Sequence, residues 1–262
     1  MRFLWVASLL LPLTAIAQLA TPSESGVAMG HLHIFTQEPA AQKKFWVDAL
    51  GATETKLGDF EAFKFPGALV MLRNAEAHGG TDGSVVNHVA VKVRDLAGTL
   101  AKLEAAHIPI ISRTPPQAPT QAMTLAPDGI RVELTEDTAL ASPLAYHHIH
   151  FYTANVDEMK KWYVATFGAI PGKRGKFEAA DLPGVNLSFT PSDATLAGTK
   201  GRALDHIGFE VRDLEAFTKK LEAEGVVFDV SYRKVPALGI AIAFFTDPWG
   251  TYIELTEGLN KL

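Results

Sequence analysis

The chain is a repeat of a repeat, and this limits its possible folds more than any other feature. Residues 205–211 read D-H-I-G-F-E-V and continue R-D-L, while residues 87–93 read N-H-V-A-V-K-V and also continue R-D-L. Further on, P-W-G-T-Y-I-E-L-T-E (248–257) matches P-D-G-I-R-V-E-L-T-E (127–136). The segments upstream match each other as well. H-L-H-I-F-T (31–36) lines up with H-I-H-F-Y-T (148–153), and K-F-W-V-D-A-L-G-A (44–52) with K-W-Y-V-A-T-F-G-A (161–169). The chain therefore consists of four modules in the order A-B-A′-B′.

Each module has the same predicted plan. A short strand alternates in character, as in His88-Val89-Ala90-Val91-Lys92-Val93. An amphipathic helix follows, over Leu96 to Ala106 in B and Leu214 to Glu224 in B′, with Asp95 and Asp213 as N-caps and Gly225 as a stop. Three more strands come after it, with Gly and Pro between them. The unit is βαβββ and the class α+β. One unit cannot cover both faces of its small sheet, so the modules are expected to pair. The sequence divides into an N-terminal extension (18–28), a first pair of modules (29–137), a linker (138–144) and a second pair (145–258).

Residues 1–17 read as a signal peptide: Arg2, an apolar run from Phe3 to Ile16 interrupted by Pro12, and the small-x-small Ala15-Ile16-Ala17. The run is short for a bilayer span, which needs ~20 apolar residues. The expected location is therefore periplasmic or secreted, with no stable membrane insertion after cleavage. Cysteine is absent, which rules out disulfides, thiolate nucleophiles and Cys-ligated zinc. Net charge is −5 with no basic run, so nothing points to a nucleic-acid partner. The expected partner is a small molecule, and the sequence leaves the oligomeric state open.

Strand alternation sorts the side chains by face. Ile207, Phe209 and Val211 belong under the helix, which sends His206, Gly208 and Glu210 the other way. Ile253 and Leu255 leave Tyr252, Glu254 and Thr256 on that same opposite face, and equivalent logic exposes His88 and Glu133. His31 and His33 share a face, as do His148 and His150. If two modules close into a cup lined by the non-helix face, each half supplies one His-His-Glu triad: His31, His88 and Glu133 in the first, and His148, His206 and Glu254 in the second. Two imidazoles and a carboxylate suit Fe2+, Mn2+, Zn2+ or Ni2+. The near-equal ligand spacing in the two halves predicts that each half closes its own cup. The aromatic pairs Phe45-Trp46 and Trp162-Tyr163 read as helix packing.

With these motifs in hand, the sequence from Met29 to Glu257 resembles the vicinal oxygen chelate superfamily. That superfamily includes glyoxalase I, bleomycin-resistance proteins, fosfomycin-resistance enzymes and type I extradiol dioxygenases. The resemblance implies paired βαβββ modules, a cup, and a divalent metal on His31, His88, Glu133, His148, His206 and Glu254. Glyoxalase-type isomerases use a fourth ligand where this chain has Met71 and Ser188, so the sites read as three-ligand unless His33 or His150 contributes. Extradiol enzymes carry a Tyr where this chain has Phe244. The first half should line its cup with Phe35, Met71, Arg73, Lys92 and Arg131, and the second with Tyr152, Asn186, Ser188, Glu210 and Tyr252. His150 and Tyr252 are the candidate proton carriers of the second cup. The resemblance implies a metal-dependent enzyme, of dioxygenase or lyase/isomerase type, acting on a small oxygen-rich molecule. The rival expectation is a periplasmic binding or resistance protein without catalysis.

Overall fold

A computed structural model describes residues 19–261; the expected signal peptide at 1–17 lies outside the described residues. The four modules are βαβββ units. Module A contains β1 (Val27–Thr36), α1 (Pro39–Lys43, continued by a π-helical turn over Lys44–Ala49), β2 (Thr53–Leu57), β3 (Phe60–Phe65) and β4 (Ala68–Asn74). Module B contains β5 (Val86–Val93), α2 (Leu96–Ala105), β6 (Ile110–Thr114), β7 (Gln121–Ala126) and β8 (Ile130–Glu136). Module A′ contains β9 (Leu144–Thr153), α3 (Val156–Phe167), β10 (Ile170–Arg174), β11 (Phe177–Leu182) and β12 (Val185–Pro191). Module B′ contains β13 (Leu204–Val211), α4 (Leu214–Ala223), β14 (Phe228–Val235), β15 (Ile240–Thr246) and β16 (Tyr252–Glu257).

Asp95 caps α2 by accepting from the Gly98 amide at 2.8 Å, and Asp213 caps α4 from Ala216 at 3.0 Å. Each satisfies one amide that the first helical turn leaves without a partner. Gly225 follows α4 with φ +91°. The equivalent residue after α2 is His107, which takes the same left-handed conformation at φ +56°.

The modules form two eight-stranded mixed sheets, and each sheet draws on both halves of the chain. One runs β14-β15-β16-β13-β1-β4-β3-β2, joining module A to B′; the other runs β10-β11-β12-β9-β5-β8-β7-β6, joining B to A′. This corrects the expectation that each half closes on itself. The seams are β1 antiparallel to β13 and β5 antiparallel to β9.

The connections explain the exchange. The segment between β8 and β9 is tied to the end of β5, with the Asp137 amide donating to the Val93 carbonyl and the Arg94 amide to that of Pro143, both at 2.9 Å. That tether delivers β9 beside β5. The connections leaving β4 and β12 pair with each other instead: His78 N–H donates to Gly201 O at 2.8 Å, and Arg202 Nε to Gly80 O at 2.8 Å. They carry the chain across from one sheet to the other.

One continuous apolar core lies on the helix side of both sheets. Ile207, Phe209 and Val211 are buried there, as their alternation requires. Phe167 of α3 packs 4.8 Å from Phe209 of β13, although the strands of its own module lie in the other sheet. Tyr163 of the same helix donates its hydroxyl to the Asp247 carboxylate at 2.8 Å. Full burial of a side chain the size of Phe167 contributes roughly 1.5–3 kcal/mol. The faces away from the helices are left to form two cups.

Candidate metal centre

The A/B′ cup gathers ligands from three adjacent strands. His31 and His33 come from β1, His206 from β13 and Glu254 from β16. His31 Nε2 and His206 Nε2 lie 2.8 and 2.9 Å from the same oxygen, Glu254 Oε2. His33 stands with its ring 4.5 Å from that of His206. One ligating atom from each of the four lies within 4.8 Å of all the others, and all four residues are buried.

The register supplies the reason. Gly208 is the β13 partner of His31 and Glu254 is the β16 partner of Gly208, so His31 and Glu254 flank a residue without a side chain. A Cβ on Gly208 would fall 2.0 Å from the His31 ring. Glycine thus lets the imidazole cross the strand and reach the carboxylate.

Burial sets the charges. It lowers the pKa of His31, against the pull of Glu254. It lowers His33 well below the usual histidine value, helped by His206 and His31. His206 differs: burial opposes its protonation, but hydrogen bonds to Asp205 and Glu254 outweigh that and raise its pKa. Burial works against ionisation of Glu254, yet His31 and His206 overcome it and hold the carboxyl well below its ordinary range. Asp205 Oδ2 lies 2.6 Å from His206 Nδ1. Accepting from that nitrogen fixes the ring so that Nε2 faces Glu254, the position from which it would ligate an ion.

The centre lies in a cavity of about 430 Å³. Leu57, Met71, Ile240 and Ile242 belong to a separate apolar cluster that walls it. Arg73, Arg233 and Tyr252 supply polar groups. Tyr252 stacks on Phe244 at 5.4 Å, and Lys200 Nζ sits 4.3 Å from the Tyr252 ring centroid.

The B/A′ cup has the equivalent histidines in a different arrangement. His88, His148 and His150 form its buried cluster, and Glu133 Oε2 is 3.5 Å from His88 Nε2. Arg174, from the end of β10, reaches into the cluster. Its Nη2 lies 3.1 Å from His148 Nε2 and 3.5 Å from His150 Nδ1, while its Nε donates to Ser188 Oγ at 2.8 Å. Burial and Arg174 together lower His148 far below its usual value. Burial, His88 and Arg174 lower His150 to about 3.

The structure therefore regroups the expected site residues. His31 meets His206 and Glu254 in one sheet, and His88 and Glu133 join His148 in the other. The candidate proton carriers separate: Tyr252 stands in the A/B′ cup and His150 in the B/A′ cup. The expected linings exchange in the same way. Lys92 and Arg131 leave Phe35, Met71 and Arg73, and they pair with Asp137 at 2.9 Å and Asp82 at 2.8 Å. Glu210 carries no proton for the cavity, because its carboxylate accepts from Thr256 Oγ1 and from the Gly258 and Asn260 amides. Sequence reasoning missed Asp205, Gly208 and Arg174. The D-H-I-G string had contained two of them, beside the histidine it was used to find.

The family description Glyoxalase/Bleomycin resistance protein/Dioxygenase superfamily matches residues 28–134 and again 145–255. The chain belongs to this superfamily. A search of curated protein sequences finds no match. Among solved structures, the fold is similar to glyoxalase I from Zea mays, at 15% identity and TM-score 0.70, covering 90% of this chain and 94% of that one. It is also similar to a putative dioxygenase from Bacillus subtilis subsp. subtilis str. 168, at 16% identity and TM-score 0.64, covering 92% and 86%. At these identities the likeness is one of fold. The superfamily implies a divalent metal, and the A/B′ residues fit one. Their donors are nitrogen and carboxylate oxygen, and His31 Nδ1 and both ring nitrogens of His33 are buried without a hydrogen-bond partner.

Proposed function

We propose that the protein is an exported, metal-dependent enzyme of this superfamily whose A/B′ cup acts on a small, oxygen-rich molecule. The observation that carries this reading is the convergence of His31, His33, His206 and Glu254 on one point in a walled cavity. His31, His206 and Glu254 would hold the ion, drawn from Fe2+, Mn2+, Zn2+ or Ni2+. A bound divalent cation supplies Lewis acidity and coordination positions for substrate oxygens.

The chain's own groups do the rest. His33, kept uncharged by burial, presents unpartnered ring nitrogens beside the ligands and can bond a substrate group held there. Arg73 and Arg233 offer cations to an anionic group on the substrate. The apolar walls exclude water from the carbon skeleton. Tyr252 fixes one side of the cavity through its stacking on Phe244. Export rests on the N-terminal seventeen residues.

Metal content after reconstitution tests the centre. Wild type should retain a divalent ion and His206→Ala should lose it; no ion above background in wild type defeats the reading. Anaerobic Fe(II) loading followed by spectroscopy with catechols, hydroxy acids and 2-oxoaldehydes then tests turnover. His33→Ala should keep the ion and lose the reaction. A second reading, a binding or resistance protein, is favoured by the apolar walls, including Leu57, Val230 and Ile242. Tight binding without turnover would select it.

A further inference from the structure

We infer that the B/A′ cup takes no metal, because the Arg174 guanidinium stands in the ion's place, and that the chain binds its divalent ion in the A/B′ cup alone. The inference rests on the proposed A/B′ metal centre for its comparison and adds an assignment for the second cup.

Arg174 Nη2 donates toward His148 Nε2 at 3.1 Å and faces His150 Nδ1 at 3.5 Å. Those are lone pairs that a shared ion would need. A guanidinium carries its charge permanently, so the cluster already contains its cation. A divalent ion entering beside it would meet like charge in a half-buried setting, where repulsion is poorly screened. The acid that balances Arg174 is Glu133, whose carboxyl is held below its ordinary value by His88 and Arg174 against the effect of burial.

The arginine is held in place. Its Nε donates to Ser188 Oγ at 2.8 Å, Ser188 in turn donates to Asn186 Oδ1 at 2.6 Å, and the guanidinium lies 5.4 Å from the Phe177 ring centroid. Strand register identifies the counterparts in the other cup. Arg174 pairs with Phe177 as Leu57 pairs with Phe60. Ser188 pairs with His150 as Met71 with His33, and Asn186 with His148 as Leu69 with His31. Arginine and both members of its hydrogen-bonded anchor therefore replace Leu57, Met71 and Leu69 together. The whole set of three differs between cups, in the sense required to hold a cation in one and to leave the other free for an ion.

The seam differs in the same sense. Ala90 stands opposite His148 where Gly208 stands opposite His31. His31 crosses to within 2.8 Å of Glu254, whereas His148 contacts His88 at 3.4 Å and Arg174. The B/A′ histidines are arranged around a guanidinium.

Metal stoichiometry on the full mature chain tests this. The protein is stripped with chelator, reloaded separately with Mn(II), Fe(II), Zn(II) and Ni(II), desalted and analysed for bound metal, with Mn(II) electron paramagnetic resonance as a second readout. Wild type should hold one ion per chain. His88→Ala should keep it and His206→Ala should lose it. Arg174→Leu, which installs the residue of the other cup, should raise the count to two, and Arg174→Ala checks that result should the leucine variant misfold. Two ions in wild type, or loss of the ion in His88→Ala, overturns the inference. So does a count unchanged in both folded Arg174 variants. An empty wild type would defeat the A/B′ centre instead; a gain of one ion on removing Arg174 would then still support the inference, and no gain would end it.

Discussion

His31 Nε2 and Glu254 Oε2 meet at 2.8 Å although 223 residues separate them along the chain. A contact between β1 and the last strand makes the A/B′ cup a joint product of the two ends of the sequence, and the β5–β9 seam makes the other cup a product of its middle. Neither half contains a complete eight-stranded sheet.

This arrangement predicts the behaviour of nicked protein. Cleavage between residues 137 and 144 should leave two fragments that co-elute as one species on gel filtration and retain the bound metal. Each sheet still spans both fragments, and separating them would expose four seam-strand edges. Two independently folded halves eluting apart would contradict the exchanged pairing.

Gly208→Ala should cost the A/B′ cup its metal. The added Cβ would fall 2.0 Å from the His31 ring, and the ring can clear it only by leaving Glu254. Losing one of three ligands should weaken binding by at least tenfold, about 1.4 kcal/mol. Competition against a chromogenic chelator measures it. Undiminished affinity would mean that His31 does not ligate.

Much of the fold and of the cup faces was legible in the sequence, for a physical reason. The βαβββ plan follows from alternation and capping, both local, and Asp95 and Asp213 cap where their spacing predicts. The face carrying His206 and Glu254 follows from Ile207 and Ile253 pointing to the core. Module pairing was not legible. The strands β1 and β9 share an H-x-H pattern and β5 and β13 share another, so an A–B seam and an A–B′ seam look alike in sequence. What decides between them is the tether of Asp137 and Pro143 to the end of β5, a backbone contact with no side-chain signature. Arg174 was hidden because its role depends on a hairpin placing the end of β10 beside His148.

Asp205→Asn should weaken metal binding while leaving the fold intact. The carboxylate 2.6 Å from His206 Nδ1 both orients the ring and makes Nε2 a stronger donor. The other cup has Asn87 in this position, 2.9 Å from His88 Nδ1, so the amide fits sterically. Losses of roughly 10–100-fold in affinity are typical when such a partner is removed. Isothermal titration of the variant with Mn(II) checks this, with thermal denaturation of the metal-free protein as a control. Equal affinity would make Asp205 a purely structural residue.

Glu210→Gln should stabilise the metal-free protein at neutral pH and have little effect at acid pH. Burial raises the Glu210 pKa, and the hydrogen bonds from the Gly258 and Asn260 amides and the Thr256 hydroxyl only partly offset it. A carboxyl whose folded pKa exceeds its unfolded value favours the folded state when protonated. Its contribution is fully present below the unfolded pKa and is lost as pH rises through the folded one. Above the unfolded pKa wild type therefore bears a cost for burying this carboxyl that an uncharged side chain would not. Glutamine keeps an oxygen for the two amides, and its NH2 group can donate to Thr256 Oγ1, so it fills the same position without the charge. Melting temperatures measured from pH 4 to 8 should show the variant above wild type at pH 7, with the gap closing toward pH 4. A variant that melts lower at pH 7 would mean that the charge-assisted bonds to the C-terminal segment outweigh the cost of burial, and the sign assigned to Glu210 would be wrong.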